Sequence, residues 1–348
     1  MSYLRVLKLG CLSFIGLILL VFVVSKSIYY FTTDFGRSLN KTEVLLISNP
    51  DIKIIDIQDF KNIQIIQLSR YCDNALPIIG LHHAFANDLI KVSEVSESGS
   101  VNEIIIEHWS DKSLFILDGD IIYGAKQNRV FNTSILLPPN YISNLSVSCI
   151  EHGRWANESY DFESVDYLVH SDIRKRKINN RYNDVSVNSN QTMVWEEVSR
   201  INRKSKSRSD TNSHTVIYES QKETIDSLVQ HFNIDSTANG LACFINGELI
   251  SVEMFYSVEL YQDYFLSLIS TVSIESTFEN ENSDSLMNNV DITNVINNTF
   301  SAYTDNLSQF LVFKGQVLGD DAVLVTDDYV FNSLIYNKQI IHQSIFSK

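Results

Sequence analysis

Cysteine, proline and basic charge are all scarce in this chain. The four cysteines in 348 residues, Cys11, Cys72, Cys149 and Cys243, show no CxxC spacing. That argues against a disulfide framework and a structural zinc site. Lysine and arginine number 27 against 42 aspartates and glutamates, a net charge of −15. A nucleic-acid partner needs a basic footprint, and none is expected here. The lone histidine pair, His82-His83, is adjacent in sequence and does not present the i, i+4 geometry of a helical zinc site. A metal-dependent hydrolase is therefore the weakest reading, and no metal site is expected. There is no internal repeat.

What is present is globular: 44% apolar and 20% charged residues, ample for a core. Residues 9–25, LGCLSFIGLILLVFVVS, are uncharged and bracketed by Lys8 and Lys26. As a helix they span about 26 Å, near the short limit for crossing a bilayer. Ile28, Tyr29, Tyr30 and Phe31 follow, suited to an interfacial belt. Ser25-Lys26-Ser27 is a poor cleavage site, so a retained single-pass anchor in contact with membrane lipid is expected. Arg5, Lys8 and the α-amine favour a cytoplasmic N-terminus and an extracytoplasmic body. The expected organisation is an anchor with flanks over 1–33, a stalk over 34–50 and one α+β domain over 51–348.

The domain reads as β-rich in its N-terminal half, with helices mostly after residue 163. Strands are expected over 43–48, 52–57, 63–68, 89–95 and 102–108. Pro77 keeps residues 75–80 out of a central strand. Helices are expected over 163–177, 191–204, 220–232 and 258–272, the third opened by a Ser220/Glu223 capping box. Residues 240–255, GLACFINGELISVEMF, form a hairpin turning at Asn246-Gly247. Residues 276–285 read as a loop, and strands return over 310–345. Two basic clusters, 174–177 with Arg181, and Arg200, Arg203, Lys204, Lys206 and Arg208, read as solvated surface, with a contact to lipid headgroups or a phosphate as the alternative.

The densest set of polar groups lies in residues 114–155, LFILDGDIIYGAKQNRVFNTSILLPPNYISNLSVSCIEHGRW. Residues 114–118 and 121–123 are expected as strands joined by a turn at Gly119-Asp120. Gly124 allows a backbone conformation or close approach that a side chain would block. Lys126, Gln127 and Arg129 supply a point charge, a donor–acceptor pair and a bidentate fork, a trio suited to a phosphate or carboxylate. Arg129 paired inside the fold with Asp118 or Asp120 is the competing reading. Cys149 beside Glu151 and His152 resembles nucleophile chemistry, but adjacent strand residues face opposite ways, so a buried structural Cys149 is preferred. Glu151 with Arg154 is either an ion pair locking the Gly153 turn or an acid with its anion clamp. Trp155 either fills the core or stacks on a planar ligand, with the core preferred.

The blocks GAKQNRVFNTSILLPP and VSCIEHGRW, with weaker matches through Gln191 to Val198, Ser209-Asp210-Thr211 and the 240–255 hairpin, resemble one known family. It is named for its association with ADP-ribosylglycohydrolase (ARG) and rhodanese-phosphatase proteins, the ARPP-type domain. The resemblance covers roughly residues 50–345 and implies, by association, a link to NAD or ADP-ribose metabolism. The positions carried over are Gly119, Gly124, Lys126, Gln127, Arg129, Cys149, Glu151, Gly153, Arg154 and Trp155. Asp120 stands where the family usually has Glu, and the anchor is an addition. Two functions are expected from this reading: binding of an anionic, nucleotide-derived small molecule, with Lys126, Gln127, Arg129, Glu151, Arg154 and Trp155 as the site, or a non-catalytic scaffold for partners at the membrane.

Overall fold

The computed structural model describes residues 37–38, 51–72, 75–156, 159, 161–183, 191–279 and 286–348. The expected anchor, most of the stalk, the strand expected over 43–48 and residues 280–285 of the expected loop lie outside these residues. Among the described residues, no helix is long and apolar enough to cross a membrane.

In chain order, β1 (Arg37–Ser38), β2 (Ile52–Phe60), β3 (Ile63–Arg70) and β4 (Ile78–Gly80) precede the short helix α1 (Leu81–Ala86). Then come β5 (Ile90–Glu94), β6 (Glu103–His108), β7 (Ser113–Ile116), β8 (Asp120–Gly124), β9 (Arg129–Phe131), β10 (Ile135–Leu137), β11 (Tyr141–Cys149) and β12 (Phe162–Leu168). Helices α2 (Ser171–Asn183), α3 (Gln191–Lys204), α4 (Val216–Ser220) and α5 (Lys222–Val229) lead to β13 (Gly240–Ile245) and β14 (Glu248–Phe255). Helices α6 (Val258–Ser276) and α7 (Asn289–Asp305) precede β15 (Leu311–Lys314), β16 (Asp320–Val325), β17 (Tyr329–Tyr336) and β18 (Gln339–Ser347).

These elements make a mixed α+β fold. A nine-stranded antiparallel sheet runs β1-β15-β16-β17-β18-β14-β13-β3-β2, and a six-stranded one runs β12-β8-β9-β11-β6-β5. A small third sheet is ordered β10-β7-β4. The large sheet is apolar on both faces because its central strands alternate into two different cores. Leu241, Cys243 and Ile245 point toward α6 and the smaller sheets. Ala242 and Phe244 point toward Ile292, Ile296 and Phe300 of α7. The six-stranded sheet alternates likewise: Ile122 and Phe131 join the α6 side, while Ile121 and Val130 meet Val194, Val198 and Ile201 of α3. Helix α6 runs through the core and is capped by Ser257, whose side chain accepts from the Leu260 N–H.

Several local expectations gave way to tertiary structure. Residues 114–123 are not a hairpin: β7 pairs with β10 and β4, and β8 with β12 and β9. Gly119, at φ +93°, redirects the chain from one sheet to another. The helix expected over 163–177 divides into β12 and α2, because residues 162–168 complete the six-stranded sheet against β8. The helix expected over 220–232 is two helices broken at Gln221, and Ser220 Oγ bonds back to the Ile217 carbonyl instead of capping. Helix α7 was not foreseen in its asparagine-rich segment. Burying Ile292, Ile296 and Phe300 contributes about 1.5–3 kcal/mol each, which outweighs propensity costs of at most about 0.7 kcal/mol per residue. The hairpin expected over 240–255 and the strands expected over 310–345 do form, as β13–β18, and they share the large sheet with β2 and β3. Arg37 and Ser38 of the expected stalk form its edge strand, pairing with β15.

Candidate functional site

Two polar centres grow from the 114–155 stretch, one sealed and one near the surface. The surface one begins where β8 ends. Gly124, at φ +111°, turns the chain so tightly that a Cβ there would lie 2.4 Å from Ser159 Oγ. The turn delivers Lys126 to the edge and Gln127, Asn128 and Arg129 inward. Strand β9 places Arg129 opposite Cys149 of β11. Beyond β11, Glu151 bridges to Ser213, and the Gly153 N–H donates to the Thr211 carbonyl at 2.8 Å.

These placements bring most of the expected site residues into one network. Arg129 donates to Gln127 Oε1 at 2.8 Å and to the Ser100 carbonyl at 3.1 Å. It lies 3.5 Å from Glu94. Gln127 Nε2 donates to the Glu151 carbonyl at 2.8 Å. Glu151 Oε1 accepts from Thr211 Oγ1 at 2.8 Å, and Oε2 from Arg154 Nε at 2.9 Å. Arg154 also donates to the Ala125 carbonyl (2.7 Å) and to Asn128 Oδ1 (3.1 Å), binding the two turns together. Arg129 is wholly buried and partners neither Asp118 nor Asp120. Gln127 and Glu151 are buried too.

Cys149 is fully buried, with Sγ 2.9 Å from Gln127 Oε1. Burial pushes its thiol above the ordinary range, and the nearby Arg129 charge only partly opposes this. The thiolate that nucleophilic chemistry requires is thus disfavoured. Lys126 and Trp155 lie at the network's outer edge. Trp155 is 46% exposed, so the core placement does not hold. Lys126 Nζ and Arg129 Cζ sit 6.0 and 5.6 Å from its ring centre.

The second centre was not foreseen. Arg174 of α2, read as surface, is buried and grips Asp118 with two hydrogen bonds of 3.0 Å. It also donates to Glu253 Oε1 (2.6 Å) and Ser344 Oγ (3.0 Å). Glu253 Oε2 is bonded in turn by Ser344 Oγ and His342 Nε2. Burial opposes ionisation of Asp118, but Arg174, with His342 and Lys177, holds its carboxyl at about 2. Lys177, bonded to the Phe131 carbonyl, is pulled down to about 7 by burial, with Arg174 adding to the effect against Asp118. A Cβ at Gly119 would stand 2.6 Å from Arg174 Cδ, so that glycine leaves room for the guanidinium. The signal was present in the sequence: Arg174, Lys177 and Arg181 recur at helical spacing on one face.

A third group surrounds Asp120, which accepts from the Leu117 N–H and Tyr264 Oη and faces His82 at 3.4 Å. Asp263 adjoins it, its carboxyl raised to about 6 by burial, with the Asp120 charge adding to the effect against His82. Among the described residues, no three His, Cys, Asp or Glu side chains are placed to hold a metal ion.

A strand-dominated α+β domain with two arginine–carboxylate centres, Arg154–Glu151 near the surface and Arg174–Asp118–Glu253 sealed inside, is thus the class of protein at hand. Residues 51–346 match the ARG and Rhodanese-Phosphatase-superfamily-associated Protein domain, and the chain belongs to that family. No curated protein and no solved structure matches it.

Proposed function

We propose that this domain binds an anionic, nucleotide-derived small molecule, with ADP-ribose as the type suggested by the ADP-ribosylglycohydrolase association in the family's name. The observation that carries the reading is Trp155: an indole 46% exposed with two cations over its face. A half-exposed indole offers a stacking surface for a planar base, and Lys126 at its edge offers a charge-assisted bond to phosphate. Gln127, Arg129 and Glu151 support the platform from behind, while Lys126, Arg154 and Trp155 form its rim. The uncharged run at residues 9–25 supports placing the domain on a single-pass membrane anchor, with the body outside the cytoplasm.

Titrating ADP-ribose into the full chain in detergent checks this. Expected are quenching of tryptophan emission and a rise in Tm of about 3 °C or more at saturation, with both lost in Trp155→Phe. Unchanged emission and Tm at millimolar ADP-ribose would remove the proposal. One observation favours a second reading, a non-catalytic scaffold for partners at the membrane: Gln127, Arg129 and Glu151 largely satisfy one another. A silent titration would leave that reading in the lead.

A further inference from the structure

Beside the 151–155 turn lies an open cleft of about 350 Å³ that the sequence reading did not single out. One wall is the outer face of α3, with Trp195, Glu196, Ser199 and Arg203; the other is His152 and Asn212. Its size is within the range of small-ligand sites.

The walls are fixed to each other. Gly153 donates to Thr211, and a Cβ at Gly153 would come within 2.9 Å of Thr211 Cα. Asn212 Nδ2 donates to Ser199 Oγ at 2.8 Å, and its Oδ1 accepts from Asn202 Nδ2 at 3.1 Å. His152 meets Trp195 edge-on, with ring centres 4.3 Å apart. A site so tied loses little conformational freedom on binding.

Its charges are unspent. On the same helix Glu197 turns inward to Arg176 and Arg200, Arg200 also pairs with Asp172, and Lys204 pairs with Glu279. Glu196 and Arg203, both exposed, have no ion-pair partner among the described residues. Seven helical positions separate them by about 10 Å along the axis, too far to neutralise each other. The cleft therefore offers a cation at one end and a carboxylate at the other. A guanidinium suits a phosphate, and a carboxylate accepts hydrogen bonds from sugar hydroxyls.

We infer that this cleft binds a ribose phosphate, with Arg203 on the phosphate and Glu196 on the 2′,3′-diol, beside the ring edge presented by His152 and Trp195. The inference rests on the anionic-ligand reading above and assigns it a second set of residues.

The test is calorimetric titration of the full chain with ribose 5-phosphate. Arg203→Ala should weaken binding about 10-fold or more, the loss of one charge-assisted contact. Glu196→Gln should weaken ribose 5-phosphate several-fold and leave 2-deoxyribose 5-phosphate much less affected. Both side chains are exposed, so unchanged Tm is expected, and Arg203→Lys should recover part of the affinity. Parent-like binding in both variants, or no binding of ribose 5-phosphate at millimolar concentration, overturns the inference. If Trp155→Phe abolishes ADP-ribose binding while Arg203→Ala does not, the cleft is refuted and the rim stands. If no probe binds any form, both fall together.

Discussion

Arg174 and Arg154 make the same kind of bond in opposite settings. Each guanidinium holds a carboxylate, and each lies where a glycine lets two parts of the chain come close, Gly119 against Arg174 and Gly153, next to Arg154, against Thr211. The Arg174 side chain is 3% exposed, and its partners Asp118 and Glu253 come from widely separated parts of the chain. The Arg154 side chain is 14% exposed and binds Glu151 three positions away, together with carbonyls of the 124–125 turn. The first is a clamp between α2 and the two sheets; the second frames a turn whose neighbours, His152 and Trp155, face outward. Identical chemistry therefore serves the fold in one place and a surface in the other. Burial and the origin of the partners separate the roles.

Breaking the sealed clamp should have the largest effect. Arg174→Met leaves Asp118 and Glu253 buried without their cation, and removing one partner of a buried pair costs about 3–5 kcal/mol. Urea unfolding should show the midpoint falling by that equivalent at constant m; a loss under about 1 kcal/mol would mean the pair is dispensable. The same centre makes stability pH-dependent. Asp118 is depressed to about 2, so its contribution is present above the unfolded value of about 3.9 and is lost as pH falls through about 2.

Arg154→Ala should cost less, about 2 kcal/mol, because its acceptors regain water and its partners are local. A loss as large as that of Arg174→Met would show that the two centres do not differ in the way their exposure indicates.

The smallest effect is expected at Asp263. Its folded pKa of about 6 lies above the unfolded value, so the folded state binds the extra proton and loses stability as pH rises from about 4 to 6. Asp263→Asn should therefore stabilise the protein by about 1–2 kcal/mol at pH 7.5 and hardly at all at pH 4. Equal gains at both pH values would point to packing against Gly80 rather than charge.

Much of the local structure was legible in the sequence. The hairpin at Asn246-Gly247 formed where the dipeptide placed it, with both residues at positive φ. Helix α3 occupies the span its apolar spacing gave, and α6 extends the expected one at its C-terminal end. Gln127, Arg129, Cys149, Glu151 and Arg154 were grouped by motif and do meet in space. The motif could not reveal that Gln127, Arg129 and Glu151 would join Cys149 in facing inward, because an extended stretch and a tight turn present the same residues differently.

Alternation and helical spacing are properties of neighbouring residues, so the sequence determined which segments bury a face and where the strongest turns fall. Destination is not local. That 162–168 would complete a sheet depended on β8 being there to pair with it. Helical spacing within a run of four basic residues can mark a shared face, but it does not say that Arg174 alone will find buried carboxylates at Asp118 and Glu253, more than 50 and almost 80 positions away. Tertiary structure alone decided that Arg174 would be sealed and Trp155 left open, because the energy of a charge or an indole depends on what the rest of the chain packs around it.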